Sequence, residues 1–290
     1  MTIANLLGKL KSFISSKLSA PVVEENFNRF LPPHSPGSPT QCASFYFPVF
    51  WGVSDSNAVA EKIESVTALL GPGFHFADNL LTWGRNMSMF DDLNFVSAWD
   101  GNAESVSDKA IIWRRYVLAC AAYHCVQLEG DFVECGAYTG VGIKTVVDYL
   151  GGKNFPRHFW GYDIFEHSAD MENHAMPEHG ADLYEKVCEK FVGYPQVSLI
   201  KGLIPNSFEL GVPEKISYLH IDLNQVTAEI AALEHLFDRL VPGGVLILDD
   251  YEWSGVYRPQ KLAEDEWFEK RKYRVMPLPT GQGLIIKRPK

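Results

Sequence analysis

The chain has 290 residues, 46% of them hydrophobic, with a mean hydropathy of −0.09, enough to form a full core in one large domain or in one domain with an appendage. A formal net charge of −10 and a pI near 5.4 exclude a nucleic-acid binder, whose phosphate contacts need clustered Lys and Arg. Five cysteines (Cys42, Cys120, Cys125, Cys135, Cys188) with no close C-x-x-C pair argue against a zinc site or a disulfide framework, no apolar run is long enough to span a bilayer, and reduced thiols in a cytoplasmic protein are expected.

Residues 1–18, MTIANLLGKLKSFISSKL, place Leu6, Leu7, Leu10, Phe13, Ile14 and Leu18 at helical spacing, with Lys9, Lys11 and Lys17 between them. The lysines come too early for a signal peptide. The stretch reads as an arm packed on the domain or on a second subunit of a homo-oligomer, with peripheral membrane contact as the alternative. LPPHSPGSP is a loop, and FYFPVFWG is an aromatic cluster too irregular to assign to an element. Residues 57–71 read as a helix closed by glycine. From there to 107 the pattern is mixed, with Arg85 in the polar loop WGRNMSMFDD.

After residue 108 the character changes. KAIIWRRYVLACAAYHCVQLE (109–129) is a helix with an apolar face, DFVEC a strand, and VGIKTVVDYLG a helix. RHFWGYDIF and QVSLIKG are further strands; KISYLHIDL is a strand, TAEIAALEHLFDRLV a helix and PGGVLILDD the next strand. Strands alternating with helices specify an α/β fold with a mostly parallel, doubly covered sheet. The tail YRVMPLPTGQGLIIKRP holds two strand-like runs around a Pro/Gly turn, which predicts an antiparallel hairpin at one edge. The expected organisation is an arm and helical or irregular cap over 1–107, followed by a Rossmann-like domain over 108–290.

In open α/β sheets ligands sit outside the carboxyl ends of the strands. The first strand ends at Glu134, before a turn containing Gly136, Tyr138 and Gly140 that leads into a helix whose N–H groups are free. The glycine spacing is not the G-x-G-x-x-G of a dinucleotide site. The acid two residues before Gly136 would repel a pyrophosphate and suits the cationic S-adenosylmethionine. Asp163 ends the second strand, where a carboxylate accepts ribose hydroxyls; the alternative is a turn or capping aspartate. Tyr149 and Lys153 form a Y-x-x-x-K at the wrong end of their helix for a dehydrogenase.

Asp222 ends the strand KISYLHIDL, while Asp249 and Asp250 end the one after it. Carboxylates converging at neighbouring strand ends need a cation or a proton. Magnesium answers that need and would orient a substrate hydroxyl as a Lewis acid; the alternative is a capping Asp249 beside a solvated Asp250. His167, His174 and His179 lack metal-ligand spacing and read as part of a solvated lid.

GDFVECGAYTGVG, GYDIFE, WGRNMS and YLHIDLNQVTAEIAALEHLFDRLVPGGVLILDDY together resemble the macrocin O-methyltransferase (TylF/MycF) family of class I methyltransferases, over roughly residues 80–255. The resemblance implies the class I sheet with an antiparallel last strand, and S-adenosylmethionine- and magnesium-dependent O-methylation of sugar hydroxyls. It implies Glu134, Gly136, Tyr138 and Gly140 at the cofactor's methionine end, Asp163 at the ribose, Phe165 near the adenosine and Arg85 in a loop closing over the cofactor. It implies Asp222, Asp249 and Asp250 as magnesium ligands, and Asp222, or less directly His220, as base. Asn224 departs from the family's D-G-D-x-Y-E-S-T pattern. A catechol-type acceptor, an NAD(P)-dependent sugar-modifying oxidoreductase and a non-catalytic binding subunit stand as alternatives.

Overall fold

The structure is a computed structural model that describes residues 44–70, 73–168, 171 and 175–289. The amphipathic stretch 1–18, the Pro/Ser loop, Cys42 and His174 lie outside the described residues. The chain divides into two compact units, Met1–Val96 with Ala103–Ile112, and Ser97–Asn102 with Trp113–Lys290.

In the first unit Phe45–Tyr46 (β1), Phe74–Ala77 (β2) and Leu80–Trp83 (β3) form a three-stranded sheet, and Ser56–Leu70 (α1) is the helix expected over 57–71. β2 and β3 are joined through Asp78 and Asn79, whose φ values of 52° and 57° are the left-handed pair that a two-residue hairpin turn requires. Strands this short carry no readable period of two, so the irregular aromatic stretch concealed a small sheet. Phe45 and Tyr46 are buried, and the Phe45 ring stacks on His75 at 5.3 Å. Two helices follow, Leu93–Asn102 (α2) and Val106–Ala110 (α3). A capping box between Ser105 and Asp108 starts α3, and Ile111 ends it. The single helix expected over 109–129 is therefore α3 followed by Ile112–Cys125 (α4).

The second unit is built on one sheet: Asp131–Cys135 (β4), Phe159–Asp163 (β5), Val197–Lys201 (β6), Ile216–Ile221 (β7), Leu240–Leu248 (β8), Met276–Pro277 (β9) and Gly283–Ile286 (β10). Their order is β6-β5-β4-β7-β8-β10-β9, with β4 to β8 parallel and β10 antiparallel to both its neighbours. Helix α4 from Trp113 onward and helices Val141–Tyr149 (α5), Leu183–Lys190 (α6), Val226–Leu236 (α7) and Arg258–Lys270 (α8) belong to the same unit.

Side-chain alternation divides the core between the two sheet faces. Phe132, Tyr218, Val245 and Ile247 pack with Leu118, Ala122, Ile143 and Val147 on one face, and Val133, Leu219, Leu246 and Leu248 pack with Leu233, Leu236 and Phe268 on the other. Each buried side chain of this size contributes roughly 1.5–3 kcal/mol. Covering both faces explains why β7 is buried at every position and reads as a nearly continuous apolar run. Strand order reverses direction at β4 and β7, so their carboxyl ends border the crevice where ligands bind in such sheets.

Candidate active site

The turn after β4 depends on glycine. Gly136 has φ 99°, and a Cβ there would lie 1.9 Å from the Asp222 carbonyl oxygen, so only glycine allows the β4 and β7 ends to approach this closely. Gly140 is the left-handed N-cap of α5 and supplies no side-chain cap, which leaves the helix's first N–H groups for a ligand. The Tyr138 N–H donates to Asp163 Oδ2 at 2.7 Å, and the Phe165 N–H donates to Oδ1 at 2.6 Å. Burial pushes the Asp163 carboxyl up to about 6, against the pull of the Phe165 amide. Asp163 thus holds the turn, and each oxygen keeps a lone pair for a hydroxyl donor. Uncapped N–H groups for a carboxylate and a buried aspartate for ribose hydroxyls fit the expected S-adenosylmethionine.

Parallel register makes Glu134 on β4 and His220 on β7 direct neighbours. His220 Nδ1 lies 3.0 Å from Glu134 Oε2, and Nε2 lies 3.4 Å from Asp249 Oδ1. Burial alone would lower the imidazole's pKa, but its bonds to Asp249 and Glu134 outweigh burial and raise it to about 10. The raised value favours the protonated ring at neutral pH.

The paired aspartates face a guanidinium. Arg114 Nη1, on α4, donates to Asp249 Oδ2 at 2.5 Å and reaches Asp250 Oδ1 at 3.4 Å. The Gln282 amide donates to Asp249 Oδ1 at 2.8 Å, placed there because Gly283 pairs with Leu248 one step earlier on β8. Burial works against ionising Asp249, yet Arg114 and then His220 hold its carboxyl well below the usual range. Asp222 behaves oppositely: burial and the Asp249 charge push it up to about 7, while its Oδ1 accepts from the Asn224 amide at 3.0 Å.

Among the described residues, His220, Asp222 and Asp249 each bring a ligand atom within 4.8 Å of the others, and Asp250 stands outside that set. Neither Asp249 nor Asp250 is solvated; both are 8% exposed. Both ring nitrogens of His220 face carboxylates, Nδ1 toward Glu134 and Nε2 toward Asp249, so the ring as arranged offers neither nitrogen to a substrate hydroxyl. Phe165 is fully buried with its ring 5.1 Å from Tyr184, and Glu134 spends one oxygen on His220. Arg85 belongs to the first unit, exposed, with its guanidinium 3.5 Å from the Gly84 carbonyl. The Tyr138 ring meets His179 edge-on at 5.3 Å, and His179 stacks on His167 at 6.2 Å.

Sequence reasoning missed Arg114, Gln282 and a second pair of carboxylates, Glu229 on α7 and Glu264 on α8, both fully buried. Two adjacent arginines inside the otherwise apolar stretch IIWRRYVLAC, and a Gln one step ahead of the apolar GLII, were the available signals.

Magnesium requires oxygen donors in octahedral geometry and retains water. Here both oxygens of Asp249 are already engaged by Arg114, Gln282 and His220, and Asp250 shares Arg114. As arranged, these residues fit a guanidinium and not a magnesium ion.

Comparison with known proteins places this geometry. Residues 118–272, more than half of the chain, match the macrocin-O-methyltransferase (TylF) family. A curated relative, the 8-demethyl-8-(2,3-dimethoxy-alpha-L-rhamnosyl)-tetracenomycin-C 4'-O-methyltransferase of Streptomyces olivaceus, is 28% identical over 143 residues, 43% of this chain and 54% of that protein. The chain thus spans about half the length of the curated relative it matches. Among solved structures, that of the O-methyltransferase NovP aligns with a TM-score of 0.53 at 19% identity, covering 67% of this chain and 88% of that one. At that identity the likeness establishes the fold, a class I methyltransferase sheet. No described helix is long and apolar enough to cross a membrane.

Proposed function

The chain belongs to the macrocin-O-methyltransferase (TylF) family, and on that premise we propose that it is an S-adenosylmethionine-dependent O-methyltransferase acting on a hydroxyl of a sugar or glycosylated small molecule. The observation that carries the reading is the coincidence, within the matched residues, of a glycine turn, an uncapped helix N-terminus and a buried aspartate at adjacent strand ends. S-adenosylmethionine, when bound, supplies an electrophilic methyl group. The first N–H groups of α5 would hold its carboxylate, and Asp163 would accept from its ribose hydroxyls.

Asp222 is the proposed base. A carboxyl pushed up to about 7 is half ionised near neutral pH, where a general base is most effective. It takes the proton that the acceptor hydroxyl loses as that oxygen gains the methyl group. Asp249, kept anionic by Arg114 and His220, raises the proton affinity of Asp222 without competing for the proton. Asn224 holds one Asp222 oxygen and leaves the other for the substrate. Much of the acceleration in such a transfer comes from positioning the two reactants in line.

A sugar-linked acceptor is supported by the name of the Streptomyces olivaceus relative, which acts on a rhamnosyl group. A cytoplasmic location is part of the same proposal, since Cys125, Cys135 and Cys188 form no disulfide among the described residues. The test is incubation of the purified protein and S-adenosylmethionine with a panel of glycosylated, free-sugar and phenolic acceptors. Gain of one methyl group on a sugar hydroxyl, read by mass spectrometry, supports the proposal. Methylation confined to phenols redirects it to a catechol-type acceptor, and no methylation of any acceptor by protein that binds the cofactor refutes it.

A further inference from the structure

The magnesium ion expected from the sequence and the side chains found at the strand ends disagree, and we infer from that disagreement that Arg114 takes the place of the divalent cation in this chain. The assignment rests on the methyltransferase reading for the identity of the site, whereas its test reads metal binding alone.

The arrangement is a continuous line of charge. Glu134, His220, Asp249, Arg114 and Asp250 follow one another at 3.0, 3.4, 2.5 and 3.4 Å. Within it the Arg114 guanidinium stands between the Asp249 and Asp250 carboxylates and contacts both. Arg114 enters from α4, and its Cζ lies 5.5 Å from the Trp253 ring centroid, which adds a cation–π contact on a side chain only 11% exposed. A guanidinium is planar, permanently charged and weakly hydrated, which suits it to bridge two buried carboxylates. Magnesium surrenders its water reluctantly. A divalent ion placed against Asp249 would also stand beside the permanently charged Arg114, and like charges at that range repel strongly inside a protein.

The same geometry predicts what happens when the guanidinium is removed. Asp249 and Asp250 would lose the guanidinium that both contact, while Asp222 keeps a ligand atom within 4.8 Å of one on Asp249. A divalent ion should then bind where it did not before.

The experiment is titration of the purified full-length chain with Mn2+, followed by electron paramagnetic resonance of the free ion. The wild type should show no saturable site. Arg114→Gln should gain one saturable Mn2+ site per chain. The double variant Arg114→Gln/Asp249→Asn should lose the gained site. Arg114→Lys keeps the charge and should stay closed to the metal; if Arg114→Gln does not fold, Arg114→Met is the second charge-removing variant and should gain the same site. A wild-type site that binds Mn2+ and disappears in Asp249→Asn overturns it. So does a folded Arg114→Gln that binds no metal, because the carboxylates would then not be a displaced metal site. Calorimetry with S-adenosylhomocysteine on the same samples reads the methyltransferase proposal separately.

Discussion

Glu134 and His220 stand opposite one another on adjacent parallel strands, with His220 Nδ1 3.0 Å from the Glu134 carboxylate and both side chains almost wholly buried. A buried imidazolium between two carboxylates is held by geometry fixed in the register of β4 and β7. Removing one partner leaves an uncompensated charge.

Glu134→Gln should therefore destabilise the protein by about 3–5 kcal/mol, the usual cost of breaking a buried pair from one side. Urea denaturation at neutral pH measures it. Because the folded pKa of His220 is raised from 6.5 to about 10, its stabilising contribution is complete below 6.5 and is lost as the pH rises toward and through 10. Its ring signals in an NMR titration should show no inflection near 6.5. An inflection there would mean that the imidazole is neutral.

Gly136→Ala tests the turn. The added methyl would lie 1.9 Å from a backbone oxygen at a φ of 99°, so the β4 and β7 ends must part. A loss above about 4 kcal/mol is expected, the range reserved for severe backbone or packing conflicts. A stability close to wild type, read from thermal unfolding, would show that the turn can rearrange.

Asp163→Asn keeps the size of the side chain but replaces one acceptor by an NH2 group facing a backbone N–H. Affinity for S-adenosylhomocysteine should fall about 10- to 100-fold, the effect of losing a hydrogen bond to a charged group and disturbing the turn. Titration calorimetry decides it, and an unchanged affinity would reduce Asp163 to a turn residue.

Glu229 and Glu264 make stability depend on pH through a different pair. Burial pushes Glu264 from 4.5 up to about 8, and burial followed by the Glu264 charge raises Glu229 well above its ordinary value. Folded carboxyls with raised pKa values bind protons that the unfolded chain has released, so this contribution is present below 4.5 and is lost as the pH rises through about 8. Glu264→Gln should raise the melting temperature at pH values above 8 and flatten its slope with pH. A melting temperature that drops equally at pH 6 and pH 9 would assign Glu264 a packing role instead.

Much of this was legible in the sequence, for identifiable reasons. The alternation of apolar strands and helices predicted the parallel sheet because β7 and β8 are covered on both faces, and the Pro/Gly turn in the tail predicted the antiparallel strand that becomes β10. Acids at strand ends were visible because a carboxylate ending an apolar run contradicts its surroundings. The partners of those acids were not visible. Arg114 lies 135 residues from Asp249 and Gln282 lies 33 away, so only the fold brings them together. The sequence question of what balances two adjacent aspartates had a general answer, a cation, and the fold made that cation an arginine. The small sheet of the first unit escaped because its strands are two to four residues long.

The most direct test of the central claim is titration calorimetry of the purified chain with S-adenosylhomocysteine, with NAD as the control ligand and EDTA present throughout. Saturable binding of S-adenosylhomocysteine at one site per chain, with no heat from NAD, is the predicted result. Binding of NAD in its place, or of neither compound, would contradict the methyltransferase reading of the glycine turn and Asp163.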